Sequence, residues 1–300
     1  MSSQTPHTEA EQPSFLYPKE NQKPSYHTIL AYGLVGLFGL SGYIFGGIVG
    51  SVLALFINKN LLFPLVYFPE FLGLIFAIGA AYHIILKQSF LSFITTSKRI
   101  SIRTFFVAAG VCFSVLAAVD VAFFFISSLL GYSSFTPQFS AENISAFSLK
   151  LVLIFIPVSI FFVIQTLAEE LFFRSWLSKF FGLFHLPFPV IAVLTSLPFA
   201  FVHGSNPEAA EYGFFYFIIL FVLAVTLSLL VYKTNGLEAA WGVHFANNMY
   251  AFFIVSYPSS VIQTHPLFQS NSNIVLESSA VSVFLGFLIA MVVRRRVEKV

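Results

Sequence analysis

The chain has 300 residues, of which 57% are hydrophobic and only 9% charged, and 40 phenylalanines stand beside 2 tryptophans. Soluble domains carry about 25% charged residues, so an ordinary soluble domain is excluded, as is a disordered chain. A nucleic-acid binder needs a basic surface, and a net charge of +2 cannot supply one. What remains is an all-α, polytopic transmembrane helical bundle.

A spanning helix needs roughly 20 mostly apolar residues. Residues 1–27 are polar and read as a disordered cytoplasmic tail, ahead of one membrane domain over 28–300. No charge occurs from Thr28 to Asn58. That run exceeds the roughly 7–15-residue apolar core of a signal peptide, so it predicts an uncleaved first span. Its glycines, Gly33, Gly36, Gly39, Gly42, Gly46, Gly47 and Gly50, recur at three- and four-residue spacing. Such a face lets helix backbones approach closely in lipid. It predicts close packing inside the chain; a dimer through this span is the alternative.

Further apolar runs cover 62–86, 104–131, 149–178, 188–204, 212–232, 236–257 and 273–293, for about eight spans. With the N-terminus inside, twelve basic residues fall on inner segments, among them Lys87, Lys98, Arg99, Arg103, Lys179, Lys233 and the Arg294-Arg295-Arg296 cluster. Only Lys59 and Lys150 fall outside. The positive-inside bias then places both termini in the cytoplasm and favours an even number of spans. Cys112, the single cysteine, allows no intrachain disulfide and no cysteine metal cluster. Asn143-Ile144-Ser145 is a glycosylation sequon in a predicted outer loop.

Ionisable groups inside a span are costly and point to function. Glu70 and Glu238 fall near predicted helix ends, where solvation accounts for them. Asp120 lies deeper; it either lines a cavity or is satisfied by Ser114 or Ser127, and the structural role is the favoured reading. The run Gln165-Thr166-Leu167-Ala168-Glu169-Glu170-Leu171-Phe172-Phe173-Arg174 is different, because it sets two adjacent carboxylates in an apolar helix. Glu170 and Arg174 are four apart with the acid first, the favourable order for an ion pair. Glu169 lies about a quarter-turn away and is left over. An unpaired carboxylate in low dielectric suits general acid–base work. Phe199 and His203 share a face of the next span, and His244 and Asn248 share a face of the seventh. A bundle core can gather such groups from facing helices.

The set Glu169-Glu170-x3-Arg174, Phe199-x3-His203 and His244-x3-Asn248 resembles the three motifs of the CAAX-protease and bacteriocin-processing (CPBP) intramembrane peptidases, to which the type II CAAX prenyl endopeptidases belong. The matched region runs from about 150 to 250. The resemblance implies a helical bundle enclosing a polar cavity and a glutamic endopeptidase mechanism. Glu169 with His203 would activate water, His244 and Asn248 would stabilise the oxyanion, and Glu170 and Arg174, with Phe199, would support the site. It implies no metal, although two histidines and a glutamate also make a zinc set, and the sequence leaves zinc open. Its substrates would be membrane-associated polypeptides, prenylated or leader-bearing, met in the lipid. The absence of disulfides fits a bacterial inner membrane, which short loops favour, or the endoplasmic reticulum. A proton-coupled transporter using Glu169, His203 and His244 as a relay is the competing reading, but no inverted repeat is visible. A non-catalytic immunity or scaffold protein of the same fold is a third. Upright helices would separate Glu169 and His203 by roughly 15 Å in depth, so tilt, a deeper start or a kink near Pro198 must bring them together.

Overall fold

The structure, a computed structural model, describes residues 15–17, 24–56, 59–133, 135–139, 144–256, 260 and 266–270. Long helices dominate. In chain order they are α1 (Tyr26–Leu53), α2 (Lys59–Leu86), a short α3 (Phe90–Ile94), α4 (Ile102–Leu129) and α5 (Ile144–Glu169). A π-helical segment (Glu170–Leu177) and α6 (Ser178–Gly182) continue α5 without a break. Then come α7 (Phe188–Val202), α8 (Pro207–Tyr212), α9 (Phe214–Thr234) and α10 (Glu238–Phe253). Strands β1 (Phe135–Pro137), β2 (Val255–Ser256) and β3 (Phe268–Ser270) form one small sheet in the order β1-β3-β2.

The all-α polytopic class stands. Six helical stretches among the described residues are long and apolar enough to cross a membrane. Their outward faces are apolar, as at Phe45, Phe106, Leu153 and Phe214, which suits lipid contact. The run expected at 236–257 is α10, a helix of 16 residues. It is shorter than a spanning helix because protein encloses it. Eleven of its residues are buried, so its ends need not reach both membrane surfaces. The expected span at 273–293, the Arg294-Arg295-Arg296 cluster and Asn143 lie outside the described residues.

The glycines of α1 work inside the chain. A Cβ on Gly42 would collide with the Gly73 carbonyl oxygen, one on Gly46 with that of Pro69, and one on Gly50 with that of Val66. These contacts let α1 and α2 meet backbone to backbone, while Gly36 makes room for the Trp176 indole. Gly33 has open space around it. Gly46→Ala is therefore expected to destabilise the protein by about 1–3 kcal/mol through overpacking. Gly33→Ala should be neutral or slightly stabilising. Thermal unfolding of the two variants in detergent checks both.

Three polar positions differ from expectation. Asp120 is held by neither serine: the Tyr250 hydroxyl donates to its Oδ2 at 2.6 Å, from α10. Ser114 and Ser127 instead donate to carbonyl oxygens of their own helix. Glu238 is buried rather than solvated, and its Oε1 accepts from the Ser101 amide at 3.1 Å, tying α10 to the start of α4. Glu70 is half-buried and hydrogen-bonded by Tyr43 across the α1–α2 contact. Cys112 is buried packing, as expected.

Within the N-terminal tail, residues 15–17 depart from the expected lack of structure. Phe15 and Leu16 join the main core, and the Phe15 amide donates to the Asn235 side chain at 3.2 Å. Asn235 itself ends α9 in the left-handed region, with φ of 53°, where Asn is well tolerated. Tyr17 donates to the Leu186 carbonyl at 3.0 Å. The Lys179 ammonium sits 3.9 Å from the centre of the Phe15 ring and donates to the Ser92 carbonyl at 2.7 Å. Aromatic faces and a carbonyl make burial of that lysine tolerable.

Candidate active site

The π-helical segment begins at Glu170, directly after Glu169. Its i→i+5 bonding widens the turn, and π-bulges of this kind recur at functional sites. Tertiary contacts hold it in place. Ser175 donates to the Phe93 carbonyl and Trp176 donates to the Tyr32 carbonyl at 2.8 Å, while Ser178 donates at 3.1 Å to the Phe173 carbonyl of the same helical stretch. The neighbouring helices thus fix the segment that carries the paired carboxylates.

Arg174 and Glu170 are both buried, and their ion pair spans 3.3 Å. The four-residue spacing read from the sequence therefore delivers the pair. The guanidinium also lies 4.2 Å from the centre of the Phe199 ring and reaches the Ala224 carbonyl at 3.5 Å. A flat cation on an aromatic face is favourable when water is excluded.

His244, from α10, stands between the two glutamates. Its Nδ1 is 2.9 Å from Glu170 Oε1, and its Nε2 is 3.6 Å from Glu169 Oε2. A carboxylate only accepts, so Nδ1 carries the proton donated to Glu170. Nε2 is then the nitrogen presented to Glu169. No ion pair joins Glu169 to Arg174 among the described residues. The ionisable neighbour of Glu169 in the structure is His244, and no ion pair with His203 occurs among the described residues.

His203 closes α7 and opens a short 3-10 turn. Its Nδ1 donates to the Phe199 carbonyl at 2.7 Å, which leaves Nε2 with the free lone pair of a neutral ring. The Phe199 ring links the parts, lying 4.7 Å from the His203 ring and 5.9 Å from that of His244. The Phe199 ring stands between the two histidines, and no hydrogen bond or ion pair joins Glu169 to His203 among the described residues. Arg174, His203 and His244 come together around it, although His203 stays one ring away from the carboxylates.

Asn248 lies one turn beyond His244, and its Nδ2 donates to Gln165 Oε1 at 2.9 Å. The Gln165 amide in turn donates to Glu169 Oε1. Sequence reasoning gave Gln165 no role. The signal was present, because Gln165 stands four residues before Glu169, the same spacing that identified Glu170 and Arg174. Glu169 Oε2 and Glu170 Oε2 are buried without a hydrogen bond.

Among the described residues no group of three or more His, Cys, Asp or Glu side chains is arranged to hold a metal ion. The carboxylates at His244 occupy opposite nitrogens of one ring, so they cannot share one metal with it.

The class defined by fold and site is a polytopic membrane protein whose helices gather two carboxylates, a histidine and two amides, with a second histidine reached through Phe199. Residues 148–250, the region that carries the three motifs, match the model of the type II CAAX prenyl endopeptidase Rce1-like family. The match supports protease activity of the CAAX type in general. The chain is also 27% identical over 263 residues to an uncharacterized Bacillus subtilis protein, YyaK, covering 83% of this chain and 84% of that one. No solved structure matches the chain.

Proposed function

We propose that the protein is an intramembrane endopeptidase that hydrolyses peptide bonds of membrane-associated or lipidated polypeptides without a metal. The observation that supports this reading most is the convergence of Glu169, Glu170, Arg174, His244 and Asn248, from two helical stretches, with His203 joined to them through Phe199. Glu169 takes a proton from water through Oε2, the oxygen with no hydrogen bond. His203 Nε2 accepts from the same water and steers it. The water oxygen attacks the substrate carbonyl carbon, and the carbonyl oxygen becomes an oxyanion. Asn248, which has a second amide N–H beyond the one given to Gln165, faces that charge, and His244 adds an Nε2–H when both of its ring nitrogens are protonated. Glu170 holds the His244 ring through Nδ1, and Arg174 offsets the charge of Glu170. The proton on Glu169 then passes to the leaving amine as the C–N bond breaks. Substrates are prenylated or leader-bearing chains that enter from the lipid. The setting is a bacterial inner membrane, with both termini cytoplasmic.

The test is a reconstituted cleavage assay. Purified protein in liposomes is incubated with prenylated and leader-bearing peptides, and products are read by mass spectrometry. Wild-type protein should cleave at least one class, and Glu169→Ala should cleave none. Equal rates for both proteins would sink the reading.

A further inference from the structure

Asn247 Nδ2 donates to Asn248 Oδ1 at 3.3 Å, Asn248 Nδ2 donates to Gln165 Oε1 at 2.9 Å, and Gln165 Nε2 donates to Glu169 Oε1. Three amides thus run in series, with every donor pointing towards the carboxylate. The direction is fixed by chemistry. Turning the Gln165 amide over would set its oxygen against a carboxylate and its NH2 against the NH2 of Asn248. A carboxamide accepts at one end and donates at the other in this way; an ionised Glu, Lys, Leu and Met cannot.

We infer that Gln165 is a positioning residue for the reaction, the tether that joins Asn248 to Glu169 and decides which Glu169 oxygen faces the reactants. With Oε1 held by Gln165, Oε2 is the oxygen left towards His244, and it carries no hydrogen bond of its own. At the other end, one Asn248 N–H is committed to Gln165, which turns the second N–H to a single direction. The base and the oxyanion donor stand on different helices, α5 and α10, and Gln165 sets their separation. Helix packing alone does not fix two rotatable side chains relative to each other; a shared amide does. Reaction rates depend steeply on such placement, with a displacement of about 1 Å costing on the order of a hundredfold.

This inference rests on the endopeptidase reading, and the experiment separates the two. The full chain is reconstituted with a peptide that the wild type cleaves, and kcat, KM and thermal midpoint are measured for each variant. Gln165→Met keeps the length and removes both hydrogen bonds. Gln165→Glu keeps the shape and replaces the donor by an acceptor beside Glu169. Both should lower kcat by about 10- to 100-fold, with KM within twofold and the midpoint close to wild type. Adding Gln165→Met to Asn248→Ala should lower kcat by less than twofold further, because the two residues act through one connection. Unchanged kcat in Gln165→Met, a loss confined to KM, or fully multiplicative losses in the double variant would each overturn the inference. So would a loss that vanishes once rates are expressed per folded molecule. If the wild type cleaves no peptide, the endopeptidase reading itself has failed; if Glu169→Gln keeps wild-type kcat, the role given to Glu169 has failed.

Discussion

Arg174→Met is expected to destabilise the folded protein by about 3–5 kcal/mol, the cost of removing one partner of a buried ion pair. Arg174 is 1% exposed and Glu170 0%, so water cannot replace the lost guanidinium. Two further contacts disappear with it, the stacking on Phe199 and the approach to the Ala224 carbonyl. Met matches the length of the aliphatic stem, which limits the cavity and isolates the charge effect. The decisive comparison is the double variant Glu170→Gln/Arg174→Met. Most of the penalty belongs to an uncompensated Glu170 carboxylate, so neutralising Glu170 should restore a large part of the lost stability. Arg174→Lys keeps the charge but gives up the planar stack, and should fall between wild type and Met. Thermal unfolding in detergent, with scan rates matched, reads all three. If Arg174→Met unfolds at the wild-type temperature, the pair contributes nothing to the fold.

Much of this architecture was legible before any coordinates. Spans are visible because lipid demands long uncharged runs, and the Glu170–Arg174 pair because helix geometry puts residues four apart side by side. The same rule placed Phe199 under His203. The π-helical segment was hidden, since its cause is tertiary: Ser175, Trp176 and Ser178 bind carbonyl groups contributed partly by α1 and α3. Asp120 could not be matched to Tyr250, 130 residues away, by any local pattern. Sequence reasoning followed charges into the membrane and passed over Gln165, an uncharged amide whose burial raises no alarm. Phe15-Leu16 was an apolar pair in a polar tail, a signal available but outweighed by composition. Length misled at α10, because a helix walled in by protein reads as apolar as one facing lipid.

The largest expected effect on turnover is at Glu169. Glu169→Gln keeps the shape of the side chain, and its amide oxygen can still accept from Gln165 in place of Oε1. The fold and substrate binding should therefore survive, with the thermal midpoint and KM near wild type. What disappears is the group that takes the proton from water. General-base catalysis is commonly worth about 10²- to 10⁴-fold, and kcat should fall within that range. Asn248→Ala removes an oxyanion donor and should lower kcat by about 10²- to 10³-fold. Asn248→Ala also frees Gln165, so part of its loss is misplacement of Glu169, whereas Glu169→Gln leaves the amide series intact. Activity should persist in strong chelators, since His244 uses both nitrogens towards carboxylates and offers none to zinc. Loss of cleavage in phenanthroline, restored by added zinc, would overturn the metal-free mechanism while leaving the peptidase assignment standing. A Glu169→Gln enzyme with wild-type kcat would remove Glu169 from the chemistry altogether, because Glu169 is the carboxylate of the pair that is not tied to Arg174.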